Sequence, residues 1–317
     1  MGEVSTTVKR RRWLRRESNP LLIKELRGRM RGARAFVVLT VYLLLLSCFT
    51  SIVYYAFVAD SSGLGGAPDM ASLGQVVFIS VVLIEIFMVT FITPAFTAGA
   101  ISGERERKTY ELLRTTLLPA HRLVAGKLVS ALTYMFLLIL AAVPLESLAF
   151  VLGGVVVEEL ALALLLLLVT AFTFAIVGMF FSSLVRTTLV ATVLTYATAL
   201  LSTIGIPVLF VILAPVLMEP TITSLYGYGT SPRPWITEAI LTYLFYFLAS
   251  LSPITAAIFT EIVLKEESTV WFFWMDVGSG HRIPIPSAWI IYAAVYLALA
   301  LVLLLVIVLR VRRQETK

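Results

Sequence analysis

Apolar residues run almost unbroken through six stretches of this chain, at about 35–59, 74–100, 123–150, 160–181, 189–215 and 287–309. Polar or charged residues separate each from the next. A helix crossing a bilayer core needs about 20 apolar residues. Every one of these runs reaches that length, so the pattern predicts six membrane-spanning helices. Pro207 is expected to bend the fifth, because proline lacks the ladder donor and clashes with the preceding turn. A seventh apolar stretch, 236–264, is interrupted by Ser252-Pro253. Its segment 239–251 gives a helix only about 20 Å long. The reading is therefore two short helices that re-enter or pack at the outer leaflet, with a seventh crossing as the alternative. Broken helices survive at such depth only where protein or a wet cavity satisfies their backbone groups.

Charge placement gives the predicted direction. Residues 1–34 hold eleven Lys/Arg against three Glu, and residues 101–127 hold six basic and three acidic residues. With Arg186 and the four basic residues of 310–317, these segments carry 22 of the 25 basic residues. Placing all of them in the cytoplasm satisfies the positive-inside rule and lets anionic lipids attract the arm and tail. A seventh crossing would strand Arg310, Arg312 and Arg313 outside. The other side collects Asp60, Asp69, Glu158, Glu159, Glu219, Glu238, Glu266, Glu267 and Asp276, together with Tyr226, Tyr228, Trp235, Trp271 and Trp274. Those aromatics suit the headgroup belt.

Composition agrees with this reading. The chain of 317 residues is 59% hydrophobic with mean hydropathy +0.96 and net charge +6, against about 45–50% apolar in soluble domains. The first apolar run begins after the basic arm and is not expected to be a cleaved signal peptide. Cys48 alone permits no intrachain disulfide. The expected organisation is a basic cytoplasmic arm (1–34), a transmembrane domain (35–309) with an extracytoplasmic cap (216–286), and a basic cytoplasmic tail (310–317). The fold class is an all-α polytopic membrane protein. The expected location is a cell membrane, the inner or plasma membrane of a prokaryote, with both termini cytoplasmic.

Two polar segments read as cytoplasmic surface helices. Asn19–Arg31 is amphipathic, with Asn19 as cap and Pro20 in the first turn. Leu22, Leu26 and Met30 fall on one face, while Lys24, Arg27 and Arg31 can meet lipid phosphates. It is either a simple anchor or an elbow that steers the first span. The second segment, 102–118, lies between the second and third spans. Ser102 is expected to cap it, Glu104 and Glu106 favour its positive start, and Lys108 is placed to pair with Glu104. Leu112 and Leu113 add an apolar patch and Pro119 stops it. A short rigid helix between two spans can turn a push from below into movement of both.

The run Gly103-Glu104-Arg105-Glu106-Arg107-Lys108-Thr109-Tyr110-Glu111-Leu112-Leu113, followed by Pro119 and Gly126-Lys127, resembles the signature region of ABC-2 type transporter permeases. Lys108 stands where the pattern has glycine, which predicts a stiffer helix. The Asn19–Arg31 stretch is similar to the elbow of those subunits. The resemblance implies a permease of an ATP-binding cassette exporter, paired with a second copy or a related permease as a dimer. Two ATPase subunits would dock on a coupling helix formed by 102–118. Gly103, Glu104, Arg105, Glu106, Arg107, Lys108, Glu111, Leu112, Leu113 and Arg114 would be the coupling residues. ATP and Mg2+ would be held by the partner subunits.

Little else in the chain points to chemistry. It has no Gly-rich Lys-Ser/Thr nucleotide loop and so is not expected to be an enzyme by itself, nor to hold a cofactor. His121 and His281 fall on opposite predicted sides and cannot share a metal. The basic arm lacks the motifs of nucleic-acid binding. Glu85 is an intramembrane carboxylate that must face a cavity, pair or be protonated. It is a candidate for the pathway or a gate, or a structural hydrogen-bonding group. Glu146, after Pro144, either lines an exit or sits exposed at the interface. Two other readings stand beside the ATP-driven exporter of a hydrophobic or amphipathic substrate. One is a scaffold or sensor recruiting a cytoplasmic regulator. The other is a proton-coupled carrier using Glu85.

Overall fold

Apolar length dictates the architecture. The structure, a computed structural model, describes residues 33–63, 69–108, 120–225, 235–277 and 281–315. In chain order its helices are α1 (Ala33–Gly63), α2 (Met70–Thr97), α3 (Ser102–Glu106), α4 (Ala120–Val151), α5 (Val157–Leu184) and α6 (Thr188–Leu200). A π-helical turn, Leu201–Gly205, joins α6 to α7 (Ile206–Leu225). Then follow α8 (Trp235–Ala249), α9 (Pro253–Glu267), strands β1 (Phe272–Val277) and β2 (His281–Pro286), and α10 (Ala288–Glu315). Six helical segments among the described residues are long and apolar enough to cross a membrane, and they coincide with the six predicted runs. The fifth comprises α6, the π turn and the start of α7.

The core sits where α5 meets α2 and α10, its most extensive neighbours. Phe78, Val82, Ile86 and Val89 of α2 pack there with Leu166, Leu167 and Phe174 of α5 and with Tyr292 and Tyr296 of α10. Without a hydrophobic drive between helices in lipid, close approach of small residues matters most. Gly178 of α5 meets Thr97 of α2 and Ala98 just beyond it with no room for a side chain. Several threonine hydroxyls are satisfied within their own spans: those of Thr93, Thr170, Thr195 and Thr203 donate to the carbonyl four residues earlier. This matters in a medium that offers no water. Outward faces carry Leu44, Ile52, Val211, Ile212, Leu301 and Val302, all exposed.

Ahead of Pro207, the Ile206 N–H bonds to the Leu201 carbonyl five residues back. The expected disturbance of this span thus takes the form of a widened turn, which re-routes the ladder before the proline.

Between the fifth and last spans the break at Ser252-Pro253 separates α8 from α9, as predicted. Protein groups satisfy the freed backbone. The Tyr296 hydroxyl donates to the Leu251 carbonyl at 2.9 Å, and Thr255 donates to that of Ala249. The antiparallel hairpin β1–β2 was not anticipated. Its inward face, Phe273, Val277, Ile283 and Ile285, packs with Phe245 and Tyr246 of α8. The Tyr243 hydroxyl donates to the Pro284 carbonyl and the Trp289 indole to that of Val270. Trp235, Trp271 and Trp274 are exposed.

Candidate functional site

The segment between α2 and α4 is built into a corner made by four helices. Ser182, in the last turn of α5, accepts from the Ile101 and Ser102 N–H groups at 2.9 and 3.0 Å, and its hydroxyl lies 3.1 Å from that of Ser102. A helix start leaves its first N–H groups without partners, and here a side chain from a distant helix supplies one. Lys127 of α4 reaches across to Glu104, Nζ to Oε1 2.6 Å, with the lysine 5% and the glutamate 21% exposed. Glu106 accepts from the Thr188 N–H at 2.8 Å and from its hydroxyl at 2.6 Å. It thereby places a negative charge on the positive start of α6. Arg105 donates to the Ser183 and Val185 carbonyls. Ile101 fills the apolar floor with Leu123, Val124, Met179 and Val311.

This geometry corrects three local expectations. Ile101 occupies the cap position and Ser102 lies within the helix, its hydroxyl donating to the Ala98 carbonyl. The described helix stops at Glu106, short of Lys108, so the helical spacing that would join Lys108 to Glu104 is lost; Glu104 meets Lys127. Lys108 does not stiffen the helix. Its φ of 56° is left-handed, the conformation that the pattern's glycine adopts without steric cost. Lys108→Gly is therefore expected to stabilise the protein by about 1 kcal/mol. A rise in the thermal unfolding midpoint in detergent would register it. Gly103, Arg105 and Arg107 lie in the described corner. Glu111, Leu112, Leu113 and Arg114 fall outside the described residues, as do Leu22, Lys24, Leu26, Arg27 and Met30 of the expected elbow.

The two intramembrane candidates meet. Glu85 and Glu146 are 0% and 1% exposed. The Tyr42 hydroxyl of α1 donates to Glu85 Oε1 at 2.9 Å, and the Glu146 carboxyl is a close neighbour of Glu85. The expected interfacial exposure of Glu146 is corrected: α4 turns it inward. Tyr42, Ser182 and Thr188 were not singled out from the sequence. Each is an ordinary residue in an apolar or polar run, and only its neighbour from another helix gives it a role.

Towards the opposite end of the bundle, a narrow apolar slot between α2, α5 and α9 is lined by Phe78, Val82, Leu162 and Leu166, with Glu159 and Glu261 at its polar part. Glu159 accepts from the Val156 N–H and closes the start of α5. Burial, reinforced by nearby Glu159 and opposed by Lys265, pushes Glu261 of α9 up to about 7. The folded state therefore favours the neutral acid. The resulting stabilisation is full below the ordinary value of 4.5 and is lost as pH rises through about 7. Glu261→Gln is expected to flatten the fall in thermal stability between pH 5 and pH 8, a range that about spans this change.

The sequence pattern described as ABC-2 family transporter protein matches residues 20–313. The chain belongs to the ABC-2 transporter family. No curated protein matches it. Membership makes it a multi-pass, permease-like membrane protein, and its six long apolar helices are consistent with the ABC-2 fold. The match runs through α3 and its corner, the acid pair and the α8–α9 break, so each belongs to the ABC-2 region of the chain.

Proposed function

We propose that this ABC-2 protein is the membrane-spanning subunit of an ATP-driven exporter, and that separate ATPase subunits act on it through residues 102–118 from the cytoplasm. The observation that carries this reading is the attachment of α3 to three helices at once, through Ser182, Lys127, Arg105 and Glu106. A load applied to the exposed Arg107 and Lys108 side would pass into α4, α5 and α6 together, because the packed corner deforms as a unit. The basic segments fit the cytoplasmic side. With a second permease copy or a related subunit, the exposed apolar flanks of α1 and α6 would be covered, and a seam lined by apolar side chains would suit a hydrophobic or amphipathic cargo.

Reconstitution with the ATPase subunit in lipid vesicles tests the proposal. ATP-dependent movement of a hydrophobic dye out of the ATPase-facing leaflet is expected, and Glu106→Ala should weaken it by loosening the hold on Thr188. Absence of any stable complex between the full-length protein and an ATP-hydrolysing subunit would overturn the reading.

A further inference from the structure

Three side chains from three helices converge inside the bundle with too few hydrogens among them. Glu85 of α2 and Glu146 of α4 face one another, and Tyr42 of α1 supplies one donor, to Glu85 Oε1. The second Glu85 oxygen and both Glu146 oxygens are buried with no donor. Two ionised carboxylates are acceptors only, and neither can donate to the other. Burying even one unpaired charge is costly, and adjacent like charges in a dry site cannot both stay ionised. The surroundings offer no compensation. From α1 comes Tyr42 and from α4 Glu146. From α5 and α9, Glu159 and Glu261 lie at the slot beside Phe78 and Val82. From α6, Tyr196 lies beside Phe91. Among the described residues no Lys or Arg is recorded in an ion pair with either carboxylate.

We propose that Glu85, Glu146 and Tyr42 form a proton-binding site inside the membrane domain, in which a proton taken from water bridges the two carboxyl groups. The proton adds to Glu146, which then donates to the vacant Glu85 oxygen, while Tyr42 keeps its bond to the other. Release returns the proton to water and breaks only that bridge. A proton fits better than an alkali ion, which needs a fuller shell of oxygens than two carboxylates and a hydroxyl that is already donating. No group of three or more metal-ligating side chains occurs among the described residues. Because the three residues sit on α1, α2 and α4, separation of those helices would open the site and expose it to exchange. The site does not depend on the proposed partner ATPase.

Infrared spectroscopy of the full chain in lipid nanodiscs at neutral pH reads the bound proton directly. The wild type is expected to show a carboxylic C=O stretching band that shifts in D2O and is lost in the double variant Glu85→Gln/Glu146→Gln. Tyr42→Phe should move that band without abolishing it, which gives a second reading should the double variant fail to fold. Two results would overturn the proposal. One is a wild type showing only ionised-carboxylate bands from these residues. The other is a thermal stability that rises with Na+ over N-methylglucamine at fixed pH and ionic strength, with that gain lost in Tyr42→Phe.

Discussion

Lys127→Ala is expected to leave a folded protein in which, under the proposed coupling to an ATPase subunit, ATP hydrolysis continues but transport falls steeply. The substitution removes the ammonium 2.6 Å from Glu104, where the carboxylate is only partly open to water. Loss of one member of such a pair costs about 2 kcal/mol, between the values for exposed and fully buried pairs. At 1.4 kcal/mol per decade, this is roughly a thirtyfold shift in the ratio of attached to detached α3. The shift falls on the link between α3 and α4 while Ser182 still holds α3 to α5. Parallel measurement of ATPase rate and dye movement in vesicles checks it. Equal transport per ATP in variant and wild type would show that the ion pair carries no load. Lys127→Arg retains the charge and should recover part of the transport.

Gly154→Ala is expected to destabilise the protein by about 3 kcal/mol, at the upper end of ordinary overpacking. The turn between α4 and α5 lies directly on the first turns of α2. A side chain at Gly154 would collide with the Ala71 carbonyl oxygen and stand 2.7 Å from the Gln75 nitrogen. Both are backbone atoms, held in the helix that Asp69 caps, so neither can swing aside. Gly153 is the control. It has φ 83° but open space around its α-carbon, so Gly153→Ala should cost only about 1 kcal/mol through backbone strain. Unfolding midpoints of both variants in one detergent would separate close packing from backbone conformation. Equal losses would contradict this account of the turn.

The six spans were legible because length and hydropathy alone decide whether a helix can cross a bilayer, and Ser252-Pro253 marked the break between α8 and α9 for the same elementary reason that proline ends ladders. The hairpin at 272–286 was missed. Its strands are short and β2 contains Pro284 and Pro286, which argue against a strand unless it lies at an edge, as this one does. The motif around Glu104 indicated the corner, but its contacts were not legible. Ser182 lies 80 residues from Ser102 and Thr188 lies 82 from Glu106, and nothing in either local sequence names the other. Lys108 shows a different limit. Helix propensity predicted continuation through a good helix former, whereas the chain turns there into the left-handed region that the motif's glycine would favour. Glu146 was placed by counting residues from the end of its span, which ignored the side-chain reach that brings it to Glu85.

Cross-linking from Arg107→Cys, in a Cys48→Ser background so that this is the sole thiol, tests the lever most directly. With the ATPase subunit present in membranes, the account predicts a cross-link to that subunit whose yield changes between nucleotide-free and ATP-bound states. Modification of the introduced cysteine by a membrane-impermeant reagent from the extracytoplasmic side, with no cross-link in either state, would contradict it.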